Sequence, residues 1–406
     1  MALGVDPVEE AHRVLFVGDS PVDEGAAAAL GCAFAWASDT TALHEVLRTA
    51  FLAAGASPID AALALVAPRD ADAEAAAIAH QASLLKPAGA LGLLESIGIQ
   101  LAAIGGQTPP EVPHRAVVGV FGADHGVHDE GVSPWPQIVT AQMAAAVAGG
   151  GAAVSVLARL HGATVRMVDV GIATPTDHVA GIEQWTFRDG TANLAAGPAM
   201  SRVDALAAMS VGALVAMETI DAGADIVCTG DLGIANTTAS AALIAALTRS
   251  DAAAVTGRGT GIDDATLSLK TDVVAAAVER VVNRNPSLDP LVVLEEVGGL
   301  EHAAIAGFII GAASARVPVV LDGVIAVSAA LVAVGLSPTV RDSLIGGHRS
   351  AEPGATIALA HLGIEPLVDL GMRLGEGTGA VSALPLIRSA AAIMAEMATF
   401  ESAGLA

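Results

Sequence analysis

From about residue 115 onward, short runs of β-branched and apolar residues alternate with longer alanine-rich segments. The runs AVVGVF (116–121), TVRMVDV (164–170), ADIVC (224–228) and VPVVL (317–321) each have strand length, and helical segments separate them. This alternation predicts an α/β fold: a parallel sheet covered by helices on both faces, with ligands bound at the strand ends. Residues 70–105 read as helical, with a break at Lys86-Pro87, where proline removes an amide donor. Further upstream, RVLFVG (13–18), an alanine-rich segment at 24–30 and a second run from Ala33 to Ala37 form a small βαβ-like fragment. A boundary between the two parts is expected between Pro58 and Asp72. The most apolar stretch, Ala303 to Leu336, is interrupted by Arg316, Pro318 and Asp322, so it holds no unbroken run of ~20 apolar residues.

Composition narrows this picture. A chain of 406 residues suits two or three structural units, and 53% hydrophobic with 15% charged residues excludes a disordered chain. Aromatics make up 2% and glycines number 44, so the core must rely on close backbone approach rather than on large side chains. Mean hydropathy is +0.61. The net charge of −24 repels nucleic-acid phosphates and anionic lipid, and neither is expected as a partner. A phosphate ligand would therefore need locally placed cations. Cys32 and Cys228 lie far apart in apolar settings and read as reduced thiols. Asp6, Glu9 and Glu10 precede any apolar run, unlike a secretory signal, so a cytoplasmic location is expected.

Glycine-rich turns follow most of the strands: FGADHGVHDEGVS (121–133), GDLGIANTT (230–238), GRGTG (257–261) and GMRLGEGTG (371–379). Glycine lets backbone amides approach a ligand, and a helix N-terminus favours an anion. None of these turns is a P-loop or a complete dinucleotide fingerprint. Asp124, His125, His128, Asp129 and Glu130 have the density of a metal site, but no H-E-x-x-H or C-x-x-C accompanies them. They read as a polar loop whose carboxylates hold the turn, and no metal or cofactor is expected. Lys270 and Arg258 are either phosphate-neutralising cations or solvated helix residues. Glu376, three residues after Arg373 among glycines, is either a general base or a turn acid.

Eight ordered segments carry a resemblance. They are KPAGALGLLE (86–95), GADHGVHDEGVSPWPQIVTAQM (122–143), GGGAAVSVLAR (149–159), GDLGIANTTASAAL (230–243), GRGTGIDD (257–264), EEVGGLEHAAIAGFIIGAASARVPVVLDG (295–323), HRSAEPG (348–354) and GMRLGEGTGA (371–380). Over roughly residues 70–406 the chain resembles the nicotinate-nucleotide–dimethylbenzimidazole phosphoribosyltransferase family. The resemblance implies a Rossmann-like sheet in a domain spanning 69–406, with 69–115 and about 365–406 forming a smaller helical part, and a homodimer. It implies transfer of the phosphoribosyl group from nicotinate mononucleotide to 5,6-dimethylbenzimidazole, with inversion at C1′ and no metal.

The resemblance also assigns roles. Glu376 would be the catalytic base, with Asp231 beside it. Trp135, Gln142 and Leu232 would contact the base. Gly233, Asn236, Thr237, Gly257, Arg258, Gly259, Lys270 and Ser350 would bind the ribose and 5′-phosphate. Four positions depart from the family: Asp231 in place of Glu, Ala235 in place of Gly, Ala355 in place of His, and Trp135 in place of Tyr or Phe. These departures keep open a different azole or purine-like acceptor, or a nucleotide-binding homologue without catalysis. Residues 13–37 resemble the late acidic motif of haloacid-dehalogenase-type phosphatases, with Asp19 and Asp23 as the acids. The nucleophilic D-x-D and lysine of those enzymes are missing upstream, so the segment 1–68 reads as a non-catalytic extension.

Overall fold

The computed structural model describes residues 57–405 together with two strands, β1 (Leu15–Gly18) and β2 (Ala33–Trp36). These two pair in parallel, as a βαβ-like fragment requires. Cys32, Asp19 and Asp23, with the phosphatase-like motif, lie outside the described residues.

The remaining strands are β3 (Ala116–Ala123), β4 (Ala163–Gly171), β5 (Ile182–Gln184), β6 (Ile226–Leu232), β7 (Val319–Leu321), β8 (Leu344–His348) and β9 (Pro366–Val368). Among the described residues they form a seven-stranded parallel sheet in the order β5-β4-β3-β6-β7-β8-β9. The chain builds outward from β3 through β4 and β5. It then returns to the other side of β3 and builds through β6 to β9. That reversal is the topological switch of a doubly wound fold, so the crevice between the β3 and β6 ends is where a ligand belongs.

Each strand alternates between two cores. On β3, Ala116, Val118 and Val120 enter one core, and Phe121 and Ala123 enter the other. The apolar stretch 303–336 resolves into the helices Leu300–Ser314 and Val324–Leu336 with β7 between them, almost all buried. The helices Arg202–Asp221 and Leu300–Ser314 cross so closely that a Cβ on Gly212 would lie 1.8 Å from the Ala304 carbonyl oxygen. This is the backbone-to-backbone packing that a core poor in aromatics requires. Among the described residues three segments are long and apolar enough to cross a membrane by length and composition: Ile138–His161, with 33% of its apolar window buried, and the helices Arg202–Asp221 and Thr378–Glu396. The last two pack onto the sheet and its helices, with 56% of the apolar window buried in each.

Three further points bear on the expected elements. The helical segment 70–105 is two helices, Ala71–Ser83 and Leu93–Gly105, separated by a turn wider than the expected break. In that turn Lys86 pairs with Glu95 at 2.8 Å. The helix Pro58–Leu65, inside the range expected for the boundary, places Ile59 and Ala62 in the main core. The strands β5, β8 and β9 were not anticipated; two are three residues long and β8 reads LIGGH. The two ends of the region meet: Phe400 N–H donates to the Ser83 carbonyl at 3.0 Å, and Leu85 N–H donates to that of Ala398 at 2.8 Å.

Candidate active site

The turns that follow β3, β6, β7 and β8 enclose a cavity of about 500 Å³ at the switch point. Hydrogen bonds tie together the turns after β3, β4 and β6. Asp124, at the end of β3, accepts from Thr140 Oγ1 (2.6 Å) and from the Ala173 amide (2.9 Å). Thr140 Oγ1 in turn accepts from the amide of Ile234, after β6 (3.2 Å). The polar run 124–130 thus holds backbone: His128 Nε2 donates to the Trp135 carbonyl at 2.9 Å, and Glu130 accepts from Asn193 at 2.6 Å. His125 turns inward to a fully buried cluster with Glu301 and His302. There Nε2 of His125 and Nδ1 of His302 each lie 2.7 Å from Glu301 Oε1. Burial opposes ionisation of Glu301, but the two imidazoles outweigh it and hold the carboxyl well below its usual range.

One end of the cavity is polar and anion-seeking. Lys270 is 1% exposed, and its ammonium donates to Thr237 Oγ1 (2.8 Å) and the Gly257 carbonyl (3.0 Å). An ammonium has three donors, so one remains for a ligand. Burial lowers the Lys270 pKa to about 8, with Glu352 opposing that fall. Glu352 accepts from the Gly259 amide at 2.8 Å, and Arg373 donates to the Gly259 carbonyl at 2.5 Å. The GRGTG turn is therefore held from both sides before any ligand arrives. Arg258, Thr260 and Ser350 complete this corner. Gly257 contributes its carbonyl to Lys270 and does not itself line the cavity.

The other end is apolar: Val132, Trp135, Val139, Met143, Leu232, Ile234 and Leu374. Gln142, expected to contact the base, is exposed and absent from this wall. One residue further along the helix Ile138–Ala148, Met143 faces the cavity instead. Trp135 lines the mouth and is 50% exposed.

Two carboxylates, Asp231 and Glu376, also line the cavity. Asp231 ends β6, is 4% exposed and accepts from Asn236 Nδ2 at 3.0 Å. Its pKa is raised well above the ordinary value, first by burial and then by Asp322 and Glu301, against the Asn236 bond. Glu376 is 3% exposed, and burial raises its pKa too; a backbone bond from Val154 lowers it and Asp322 adds to the rise. Oδ1 of Asp231 and Oε2 of Glu376 have no protein partner. The turn carrying Glu376 approaches both β6 and the anion corner: Gly375 abuts Asp231, and Arg373 bonds to Gly259.

The sequence model of the family described as Phosphoribosyltransferase matches residues 66–405. The chain belongs to the nicotinate-nucleotide–dimethylbenzimidazole phosphoribosyltransferase family. The protein of that name from Salinispora tropica is 50% identical over 357 residues, covering 84% of this chain and 98% of the relative. The one from Desulforudis audaxviator is 49% identical over 340 residues, covering 84% and 96%. The crystal structure of the Thermus thermophilus protein of that name superposes with a TM-score of 0.78 at 44% identity, covering 83% of this chain and 99% of that one. The chain is thus a phosphoribosyltransferase with the family's doubly wound sheet.

The fold gives physical meaning to one departure. Ala235, one of the four positions expected to depart from the family, caps the helix Asn236–Thr248 with a left-handed backbone (φ 73°). Such a conformation costs a non-glycine residue roughly 1–2 kcal/mol. Sequence reasoning missed Glu352 and Asp322. Glu352 lay within the quoted SAEPG motif. For Asp322 the available signal is a lone acid between an apolar strand and a glycine.

Proposed function

We propose that this protein transfers the phosphoribosyl group of nicotinate mononucleotide to 5,6-dimethylbenzimidazole, releasing nicotinate and forming α-ribazole 5′-phosphate. The observation that carries this reading is one cavity with a buried cation-and-amide corner at one end, an apolar wall at the other, and two proton-seeking carboxylates lining it. In this reading the 5′-phosphate takes the free donor of Lys270, with Arg258, Ser350 and Thr237 around it. The azole lies along Trp135, Val139, Met143 and Leu374. One imidazole nitrogen attacks C1′ with its lone pair. The C1′–N bond to the pyridinium breaks, and its electron pair neutralises the leaving nicotinate. Glu376 takes the proton from the other imidazole nitrogen. Its raised pKa makes it a stronger base than a solvated carboxylate. Asp231, whose proton affinity is raised by burial and then by Asp322 and Glu301, orients polar groups near the ribose.

The apolar wall favours a methylated benzimidazole over a purine, because an exocyclic amine there would lose its water without gaining a partner. The family's cytoplasmic location and homodimeric state belong to the same proposal. The free buried thiol of Cys228 fits a reducing compartment. The exposed Val156 and Leu160, four apart on the helix Ala153–His161, offer an apolar face to a second copy. Light scattering on the purified chain tests the dimer. The activity is tested by mixing nicotinate mononucleotide with dimethylbenzimidazole: nicotinate should appear in equal amount with the new nucleotide. Tight binding of the donor without turnover on any azole would contradict the proposal.

A further inference from the structure

Glu376 stands in an unusual stretch of backbone. Gly375, Glu376 and Gly377 all have positive φ (84°, 65° and 94°), and the helix Thr378–Glu396 begins immediately afterwards. A non-glycine residue is strained there and stays only if its surroundings hold it. No side chain within the turn caps this helix start. Its first amides nevertheless have an acceptor. Asp322, from the turn after β7, accepts from Gly377 N–H through Oδ2 (3.0 Å), and from Gly379 and Ala380 N–H through Oδ1 (2.7 and 3.0 Å).

Asp322 is 1% exposed, and its own amide donates to Thr229 Oγ1 on β6 at 3.0 Å. Among the described residues it has no lysine or arginine partner; the nearest basic group is His348 Nε2, 3.7 Å away. A buried carboxylate is costly unless its hydrogen bonds repay the lost water. Here those bonds go to the peptides that follow Glu376. The packing around the turn leaves little slack: a Cβ on Gly230 would lie 2.7 Å from the Glu376 carbonyl oxygen, and one on Gly377 would lie 2.6 Å from Val118.

We infer that Asp322 is a positioning residue for the transfer reaction, clamping the amides of Gly377, Gly379 and Ala380 so that this strained turn holds the Glu376 carboxylate in the cavity. The inference rests on the proposed role of Glu376. Three donors converge on one group, so an acceptor-only side chain is required; an amide would set an NH₂ against at least one of them. Asp322 also acts through its charge. The groups facing Glu376 are Asp231 from β6, the Val154 amide from the helix Ala153–His161 and Asp322 after β7, while His348 from β8 faces Asp322. Of these, Asp322 adds to the rise in Glu376 proton affinity that burial begins, and the Val154 amide opposes it.

The test compares Asp322→Asn, Asp322→Glu and Glu376→Gln in the full chain, using nicotinate mononucleotide and dimethylbenzimidazole. For Asp322→Asn, kcat should fall on the order of 100-fold, the loss typical of a misplaced reacting group. The donor Kd by calorimetry should stay within a few-fold, and the acid limb of the kcat–pH profile should move to lower pH. Asp322→Glu keeps the charge one methylene further out, so kcat should fall while the acid limb stays in place. It decides the question if Asp322→Asn fails to melt cooperatively. Wild-type kcat in either variant, or an unmoved acid limb in Asp322→Asn, would overturn the inference. Full activity in Glu376→Gln would instead overturn the role of Glu376 itself, so the two failures are distinguishable.

Discussion

The two ends of the cavity are built in opposite ways. At the polar end, side chains already hold the frame: buried Lys270 on Thr237 and Gly257, buried Glu352 on Gly259, and the exposed Arg373 on the Gly259 carbonyl. At the acceptor end the walls are apolar, and Trp135 and Leu374 are 50% and 57% exposed. In the proposed reading the donor meets a preorganised polar frame, whose reorganisation cost is met in folding. The acceptor is met by adaptable apolar surface, where selectivity rests on fit and on the absence of partners for polar substituents. Under the proposed assignment, donor identity is written in hydrogen bonds and acceptor identity in shape.

Substitutions at the two ends, and between them, can sharpen or break this contrast. The largest effect is expected at the base itself: Glu376→Gln should lower kcat by roughly 10²–10⁴-fold, the usual worth of a general base, with donor binding retained. Single-turnover nicotinate release checks this. Lys270→Ala should weaken donor binding by about 10- to 100-fold, as expected for a lost charge-assisted hydrogen bond, and leave acceptor KM nearly unchanged. A rise in acceptor KM alone would invert the assignment of the two ends. The same lysine predicts a pH effect. Its pKa lies at about 8, so it loses its charge above that value, and donor KM should rise there. Bound phosphate will push that limb upward, because the dianion favours the protonated ammonium. The smallest effect is expected at Trp135→Ala: about tenfold in acceptor KM, the scale of one lost aromatic stacking contact, with donor KM unmoved.

The sequence made the anion end legible and the acceptor end less so. Glycine turns after strands and isolated cations in an acidic chain are local signals that left Lys270 open between a phosphate cation and a solvated residue, and the resemblance gave it and GRGTG their expected role. The helix Ile138–Ala148 has almost no amphipathic contrast, with apolar residues on every side. Its pattern therefore gave no sign that Met143 rather than Gln142 faces the cavity. The four long strands were legible because β-branched runs mark them. β5 and β9 were not, at three residues each, and β8 was hidden by two glycines that make room for close neighbours. The Glu376 turn was visible only as glycines flanking an acid. Its clamp comes from Asp322, 54 residues earlier in the numbering, which is adjacent only because β6, β7 and β8 lie side by side.

The most direct test offers the enzyme nicotinate mononucleotide with equal amounts of dimethylbenzimidazole, benzimidazole and adenine, and identifies the products by mass. The account predicts α-ribazole 5′-phosphate as the main product, with matching nicotinate release and little adenine nucleotide. A dominant adenine product, or ribose 5-phosphate with no base attached, would contradict it.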